Sequence, residues 1–210
     1  TMGQAFTNDA LPHTDRVWGP TKELRTAATL AKQEDSHYVE YNEATWDGFT
    51  IRHGFLYDEA MAHGGGAGVN MYEGAHLRNC IVIHNMSACQ RVKGAGMFCD
   101  GATSTIEGCF VLNNTSTQGT QIMQNQIFAG GMFMYEGTCF NSLFANNYSY
   151  GSAGGLGFCV GRFFNNTIAY NTATLKEGGQ ISGGAISLAT SSNPNLFVAN
   201  TIIFGNNGVA

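Results

Sequence analysis

Gly130-Gly131-Met132-Phe133-Met134-Tyr135-Glu136-Gly137-Thr138-Cys139-Phe140-Asn141-Ser142-Leu143-Phe144-Ala145-Asn146-Asn147 spells out one complete structural unit. A small-residue cluster leads into Met132-Phe133-Met134, where apolar side chains recur at every second position. That period belongs to a strand and not to a helix. Gly137 turns the chain, a second strand ends at Asn141, and Ser142-Leu143-Phe144-Ala145 follows at once. Gly and Asn tolerate positive φ and so suit bends of one or two residues between strands. The last part of the unit, a Phe followed three residues later by an Asn, occurs five times: Phe110–Asn113, Phe144–Asn147, Phe163–Asn166, Phe197–Asn200 and Phe204–Asn207.

Moving outward from this unit, equivalent small residues stand at Gly68, Gly96, Gly131, Gly155 and Ala185, at intervals of 28, 35, 24 and 30 residues. Such spacing is that of a solenoid period with loop insertions. Each anchor is followed by an apolar-x-apolar triplet: Val69-Asn70-Met71, Met97-Phe98-Cys99, Met132-Phe133-Met134, Leu156-Gly157-Phe158 and Ile186-Ser187-Leu188. A third strand recurs as Cys80–Ile83, Cys109–Leu112, Ser142–Ala145, Thr167–Tyr170 and Thr201–Phe204, with Asp47–Ile51 in the same slot one coil earlier. Three strands per coil and about six coils predict an all-β, right-handed parallel β-helix over residues 45–210. Identical positions would then stack roughly 4.8 Å apart and bury their inward side chains on one another.

The segment before the repeat, residues 1–44, differs in composition, since fifteen of the charged side chains lie within residues 1–60. Thr21 to Gln33 places Leu24, Ala27, Ala28 and Ala31 on one helical face behind Pro20. A short helix or an irregular extra coil would close that end of the solenoid, where exposed sheet edges invite association. The final stretch Gly205–Ala210 offers no polar cap, and we expect a fragment of a longer secreted protein.

The single Gly-Gly-Ala-Ile at 183–186, together with the repeated Phe-x-x-Asn, resembles the repeat of chlamydial polymorphic outer-membrane proteins. Asp-Gly-Phe-Thr-Ile at 47–51, followed by Gly-rich and Asn-Cys repeats, is similar to right-handed β-helix surface proteins of Bacteroidetes-type bacteria. The resemblance covers residues 45–210 and implies the fold, a secreted or cell-surface setting, and adhesion or the handling of surface polysaccharide.

Ten basic against fifteen acidic residues give a net charge of −5, with no Lys/Arg cluster to neutralise phosphates, which argues against nucleic-acid binding. No run of 18 apolar residues is present to span a bilayer as a helix, and no signal peptide is visible. Of the six cysteines, Cys80 and Cys109 occupy the slot filled elsewhere by Ser142, Thr167 and Thr201, as small core residues do. Stacked neighbours lie within bridging range, yet free buried thiols are the expectation.

If Met71, Cys99, Met134 and Phe158 face inward, Asn70, Phe98, Phe133 and Gly157 face outward, with Tyr72, Asp100, Tyr135 and Cys159 beyond them. Aromatic rings beside Glu73, Asp100 and Glu136 form a platform for sugar rings, because a pyranose lays C–H groups on an aromatic face while carboxylates accept its hydroxyls. The competing reading is an aromatic sheet surface covered by loops. The predicted ligand-binding set is Tyr72, Phe98, Asp100, Phe133, Tyr135 and Glu136. A polysaccharide lyase or hydrolase working from this face would use Asp100, Glu136 and Glu73, with Arg78 or Arg162 as base. Calcium needs six or more oxygen ligands, and these three acids supply it weakly. No Cys-x-x-Cys or His-x-x-x-His marks another metal, and His84 reads as a turn residue.

In the third strand both faces are apolar: Cys80, Val82, Cys109, Val111, Phe144 and Ile203 on one, Ile81, Phe110, Leu143, Ile168 and Ile202 on the other. Such a sheet expects a cover, either from this chain or from a partner protein. The uncharged, Gln-rich stretch Thr115–Phe128, with 171–181 and 190–195, leaves the coil as loops, where solenoids keep function. Asn-x-Ser/Thr triplets stand at Asn85, Asn113, Asn114, Asn147 and Asn165, as chance allows in an Asn-rich chain. The reading is an adhesin-like glycan-binding module, with polysaccharide-cleaving enzyme and structural stalk as the alternatives.

Overall fold

Left-handed residues divide each coil into three straight segments. One column of corners runs through Gly48, Asn79, Gly108, Asn141, Asn165 and Asn200, and a second through His53, His84, Asn113, Asn146, Tyr170 and Gly205, all at φ between 46° and 76°. Gly, Asn and His are the residue types that reach this region most readily, so the sequence places them there and Tyr170 is the outlier. The computed structural model describes residues 44–56, 65–88, 93–117, 129–151, 153–157, 161–174, 183–187 and 196–209. The expected N-terminal cap and most of the predicted loops lie outside these residues, as do Phe158, Cys159 and Leu188.

The described chain is all-β, and every strand pair is parallel in three sheets that wind as a β-solenoid. The first sheet runs Ala44–Asp47, Ala75–Arg78, Met97–Glu107, Met132–Phe140, Leu156–Gly157 and Ile186–Ser187, joined by Val69–Tyr72, Arg162–Phe164 and Phe197–Ala199. The second stacks Thr50–Arg52, Ile81–Ile83, Phe110–Leu112, Leu143–Ala145, Thr167–Ala169 and Ile202–Phe204. The third stacks Phe55–Leu56, Met86–Ser87, Thr115–Ser116, Tyr148–Tyr150, Thr172–Thr174 and Asn207–Val209.

This arrangement corrects the sequence reading in three ways. The expected first and second strands belong to one sheet, continuous through Gly101 and Gly137, where the ladder bulges and does not turn a corner. The third sheet is absent from the sequence reading, and Thr115–Ser116 and Thr172–Thr174, expected in loops, are strands of it. The bridged rungs Gly66, Gly94, Ala129, Ala153 and Gly183 enclose about four full turns, flanked by partial ones, and not six.

The core is built from columns in register. Ile51, Val82, Val111, Phe144 and Ile168 stack inward from the second sheet, against Leu77, Ile106, Cys139 and Phe163 from the first. Ile168 therefore belongs with Phe144 and not on the outer column. Where Cys80, Cys109 and Ser142 align, the next member is Asn166 and not Thr167, since Leu143 pairs with Thr167. Cys80 and Cys109 are free, buried thiols, as expected, and Cys99 and Cys139 are buried as well. Burial pushes the Cys99 and Cys109 thiols up to about 12 and raises Cys80 less.

A polar spine crosses this core. Asn85, Asn114, Asn147, Asn171 and Asn206 stack directly after the second corner. The backbone N–H and Nδ2 of Asn114 both donate to Asn147 Oδ1 at 3.0 Å, while its Nδ2 also donates to Val82 O at 2.9 Å. The pattern repeats from Asn85 to Asn114, Asn147 to Asn171 and Asn171 to Asn206. Every buried polar atom of the ladder is thereby satisfied, as a low-dielectric interior requires.

The ladder also explains the small-residue clusters. A Cβ added at Gly68 would lie 2.7 Å from Asn85 Nδ2, at Gly96 2.9 Å from Asn114 Nδ2, and at Gly131 3.1 Å from Asn147 Nδ2. The anchors are small because the neighbouring coil's backbone and the ladder amides both pack on them: a Cβ at Gly96 or Gly131 would also lie 2.5 Å from the carbonyl oxygen of the next anchor, Gly131 or Gly155. The Phe-x-x-Asn pattern, by contrast, is not one structural position. Asn113 and Asn200 are corners, Asn147 and Asn166 are buried hydrogen-bonding residues, and Asn207 lies in a strand.

Candidate functional site

The outer face of the first sheet is assembled by register. Asn70 aligns with Phe98, Phe133 and Gly157, and Tyr72 aligns with Asp100 and then Glu136. The register shifts between Met134 and Glu136, so Tyr135 is an added residue in the bulge and points outward beside Glu136. All six predicted binding residues thus fall on one face, across three adjacent strands. Asn70 is spent locally, its side chain bonding both the N–H and the carbonyl of Gly66.

The rings form a continuous row. Tyr72 meets Phe98 edge-on with centroids 6.0 Å apart, Phe98 lies 6.0 Å from Phe133, and Phe133 lies 6.4 Å from Tyr135. Burial divides the row by role. Phe98 and Phe133 are each 4% exposed and pack with Ala129 as a small cluster separate from the main core, whereas Tyr72 is 40% and Tyr135 45% exposed. The tyrosines present surface, and the phenylalanines form its base.

Lys93 is the residue that sequence reasoning passed over. Its Nζ stands 5.0 Å from the Phe98 centroid, 5.5 Å from Tyr135 and 5.7 Å from Phe133. Each such contact contributes roughly 0.5–2 kcal/mol, depending on desolvation. The only available signal was its place immediately before the Gly94-Ala95-Gly96 anchor, which fixes it at the edge of the same sheet.

The acids separate. Asp100 and Glu136 are exposed neighbours on adjacent strands. Glu73 turns instead to the next coil, its two carboxylate oxygens accepting from Ala102 N and Thr103 Oγ1 at 2.9 Å. Among the described residues no three His, Cys, Asp or Glu side chains converge as a metal-holding group, so the weak calcium set is not assembled. Arg78 pairs with Glu107 at 3.1 Å, and Arg162 is in register with Thr138, so both candidate bases sit in the other half of the sheet.

The outer face of the second sheet carries exposed Phe110, Ile202 and Phe204, with half-buried Ile81 and Leu143 on the two strands that flank Phe110. Among the described residues no helix is long and apolar enough to cross a membrane. No protein-family model, no curated protein and no solved structure matches this chain, and of the resemblance read from its motifs the structure supports the parallel coil alone.

Proposed function

We propose that this β-solenoid is a glycan-binding module of a secreted or cell-surface bacterial protein, working through the outer face of its first sheet. One observation carries the reading: Tyr72 and Tyr135 are open to solvent beside the carboxylates of Asp100 and Glu136, on an aromatic base steadied by Lys93. Aromatic surface that accepts C–H groups, adjoining acceptors for hydroxyls, matches the amphipathic faces of a sugar ring. The exposure of both tyrosines also counts against a bare stalk, which would cover them. The extracellular setting rests on the resemblance of the coil motifs at 47–51 and 183–186 to those of bacterial surface proteins. For a protein partner, the exposed Phe110 and Ile202 of the second sheet supply the surface.

The test is incubation with a panel of plant, host and bacterial polysaccharides, scoring retained protein and released sugar ends together. Retention without release, lost in Tyr72→Ala/Tyr135→Ala, is the expected outcome. New sugar ends would establish cleavage in its place, with Asp100→Asn and Glu136→Gln as the first variants. Silence on both would transfer the function to protein binding at the second sheet or to a structural role.

A further inference from the structure

Three of the five Asn-x-Ser/Thr triplets begin on the buried ladder, at Asn85, Asn114 and Asn147. Both Nδ2 protons of each are engaged. Asn85 donates to Ile51 O and Asn114 Oδ1, Asn114 to Val82 O and Asn147 Oδ1, and Asn147 to Val111 O and Asn171 Oδ1. Even one methyl group on the facing glycine would come within 2.7 to 3.1 Å of these nitrogens. The hydroxyl residues that complete the triplets, Ser87, Ser116 and Ser149, face inward as well. The triplet is therefore a by-product of the coil: a ladder Asn, an outward residue, then a small inward one. Asn165 differs, since it is an exposed corner at φ 57°.

We infer that this chain reaches its fold only along a biosynthetic route free of asparagine-linked glycosylation. Oligosaccharide on Asn85, Asn114 or Asn147 prevents the ladder from closing, whereas Asn165 tolerates it. In that modification a bond forms between Nδ2 and C1 of a lipid-pyrophosphate-linked oligosaccharide. The C1–O bond to pyrophosphate breaks, the lipid pyrophosphate leaves, and Nδ2 gives up one proton. The lost proton is one the ladder uses, and the sugar requires space that the opposing glycine denies. Timing makes the sites vulnerable. Each ladder Asn is sealed by a residue 29, 33 or 24 positions later, so all three are open while the chain is still extended.

The experiment expresses the 210-residue chain in the cytosol of a bacterial host and, behind a secretion signal, in a glycosylating eukaryotic host. Cytosolic protein is expected to resist protease. The secreted route should yield chain glycosylated at Asn85, Asn114 or Asn147 and retained in the cell, with loss of the protease-resistant form. Ser87→Ala/Ser116→Ala/Ser149→Ala, which keeps every ladder Asn, should restore secretion of resistant protein. Alanine is native at the equivalent Ala173. Should that variant fold poorly even in the cytosol, an inhibitor of lipid-linked oligosaccharide synthesis given to cells making the unaltered chain decides the matter, because it too should restore the resistant form. Resistant protein carrying sugar at any of the three positions overturns the inference. So does resistant protein from the glycosylating host with all three unmodified, or failure of both rescues.

Discussion

Asn113 and Asn114 are neighbours with opposite tasks. The first bends the backbone at φ 52°, and the second lies buried in the ladder. Sequence reasoning saw that Asn marks coil boundaries, but an Asn-Asn doublet is ambiguous by one position. That ambiguity moved Ile168 and Thr167 one residue out of their columns. The thiol slot was legible because Cys109 and Ser142 are near-isosteric small residues, and it yields a prediction at this scale. Burial holds the Cys99 and Cys109 thiols near 12 against an ordinary 9.0, so unfolding releases their protons once the pH passes about 9. Below that pH both states keep the proton and stability is unaffected. From about pH 9 to about pH 12 only the unfolded chain ionises, and stability falls by roughly 1.4 kcal/mol per pH unit for each thiol. Urea midpoints at pH 8, 9 and 10 should therefore decline more steeply in the native chain than in Cys99→Ala/Cys109→Ser. Equal slopes would show that these thiols are not buried in the fold.

At the scale of elements, the strands that alternate apolar and small residues were readable and the third sheet was not. Its inward column is Ser87, Ser116, Ser149 and Ala173, so it carries no apolar period to detect. Gly101 and Gly137 misled in a different way. They look like turn residues, yet each lets neighbouring strands pass within backbone contact at a bulge: a Cβ on Gly101 would lie 2.6 Å from Glu73 N. In the second sheet the register is the point at issue, because both faces are apolar and a slip of one residue would exchange them. Phe110 and Phe144 occupy adjacent strands but opposite faces, the one 47% exposed and the other fully buried. Phe144→Ala should lower stability by about 3–5 kcal/mol through the cavity it leaves. Phe110→Ala should change it by less than about 1 kcal/mol, as at other exposed positions. Chemical denaturation of the two variants checks this, and the reverse order would mean that the strand is turned over.

For the whole molecule, a solenoid is held together by contacts between neighbouring coils, so stability varies along its axis and does not belong to one centre. The parallel coil was legible because its period is written in corners and anchors; the number of turns was not, because variable insertions blur where a coil begins. Alternation gave the outward face of Tyr72, Phe98 and Phe133, but it set Tyr135 in the register that Glu136 holds, since the bulge after Met134 is not written in the period, and Lys93 comes from outside that pattern. The axial gradient is visible in the described residues. Ile203 continues the buried column of Phe144 and Ile168, yet it is 49% exposed, and Val198 below Phe163 is 43% exposed. Asn147 lies at the middle of the ladder, and its removal strands three groups in the interior: the backbone N–H of Asn114, one N–H of Asn114 Nδ2, and Val111 O. Asn206 lies in the last described coil and is itself only half-buried, so once it is removed water can enter beside the Asn171 amides and the Ile168 carbonyl that it leaves. Each buried group left unsatisfied costs about 1–3 kcal/mol, so Asn147→Ala should cost at least about 3 kcal/mol and Asn206→Ala well under half of that. Native-state hydrogen exchange separates the two cases residue by residue. In the unaltered chain the amides of Val111 and Phe144 should exchange most slowly and that of Ile203 far faster. Asn147→Ala should erase protection in the coils on both sides of it, and Asn206→Ala only around Ile202–Phe204. Protection that stayed uniform from Val111 to Ile203, or that fell equally in both variants, would mean that the coils unfold as one cooperative block and that the ladder does not act link by link.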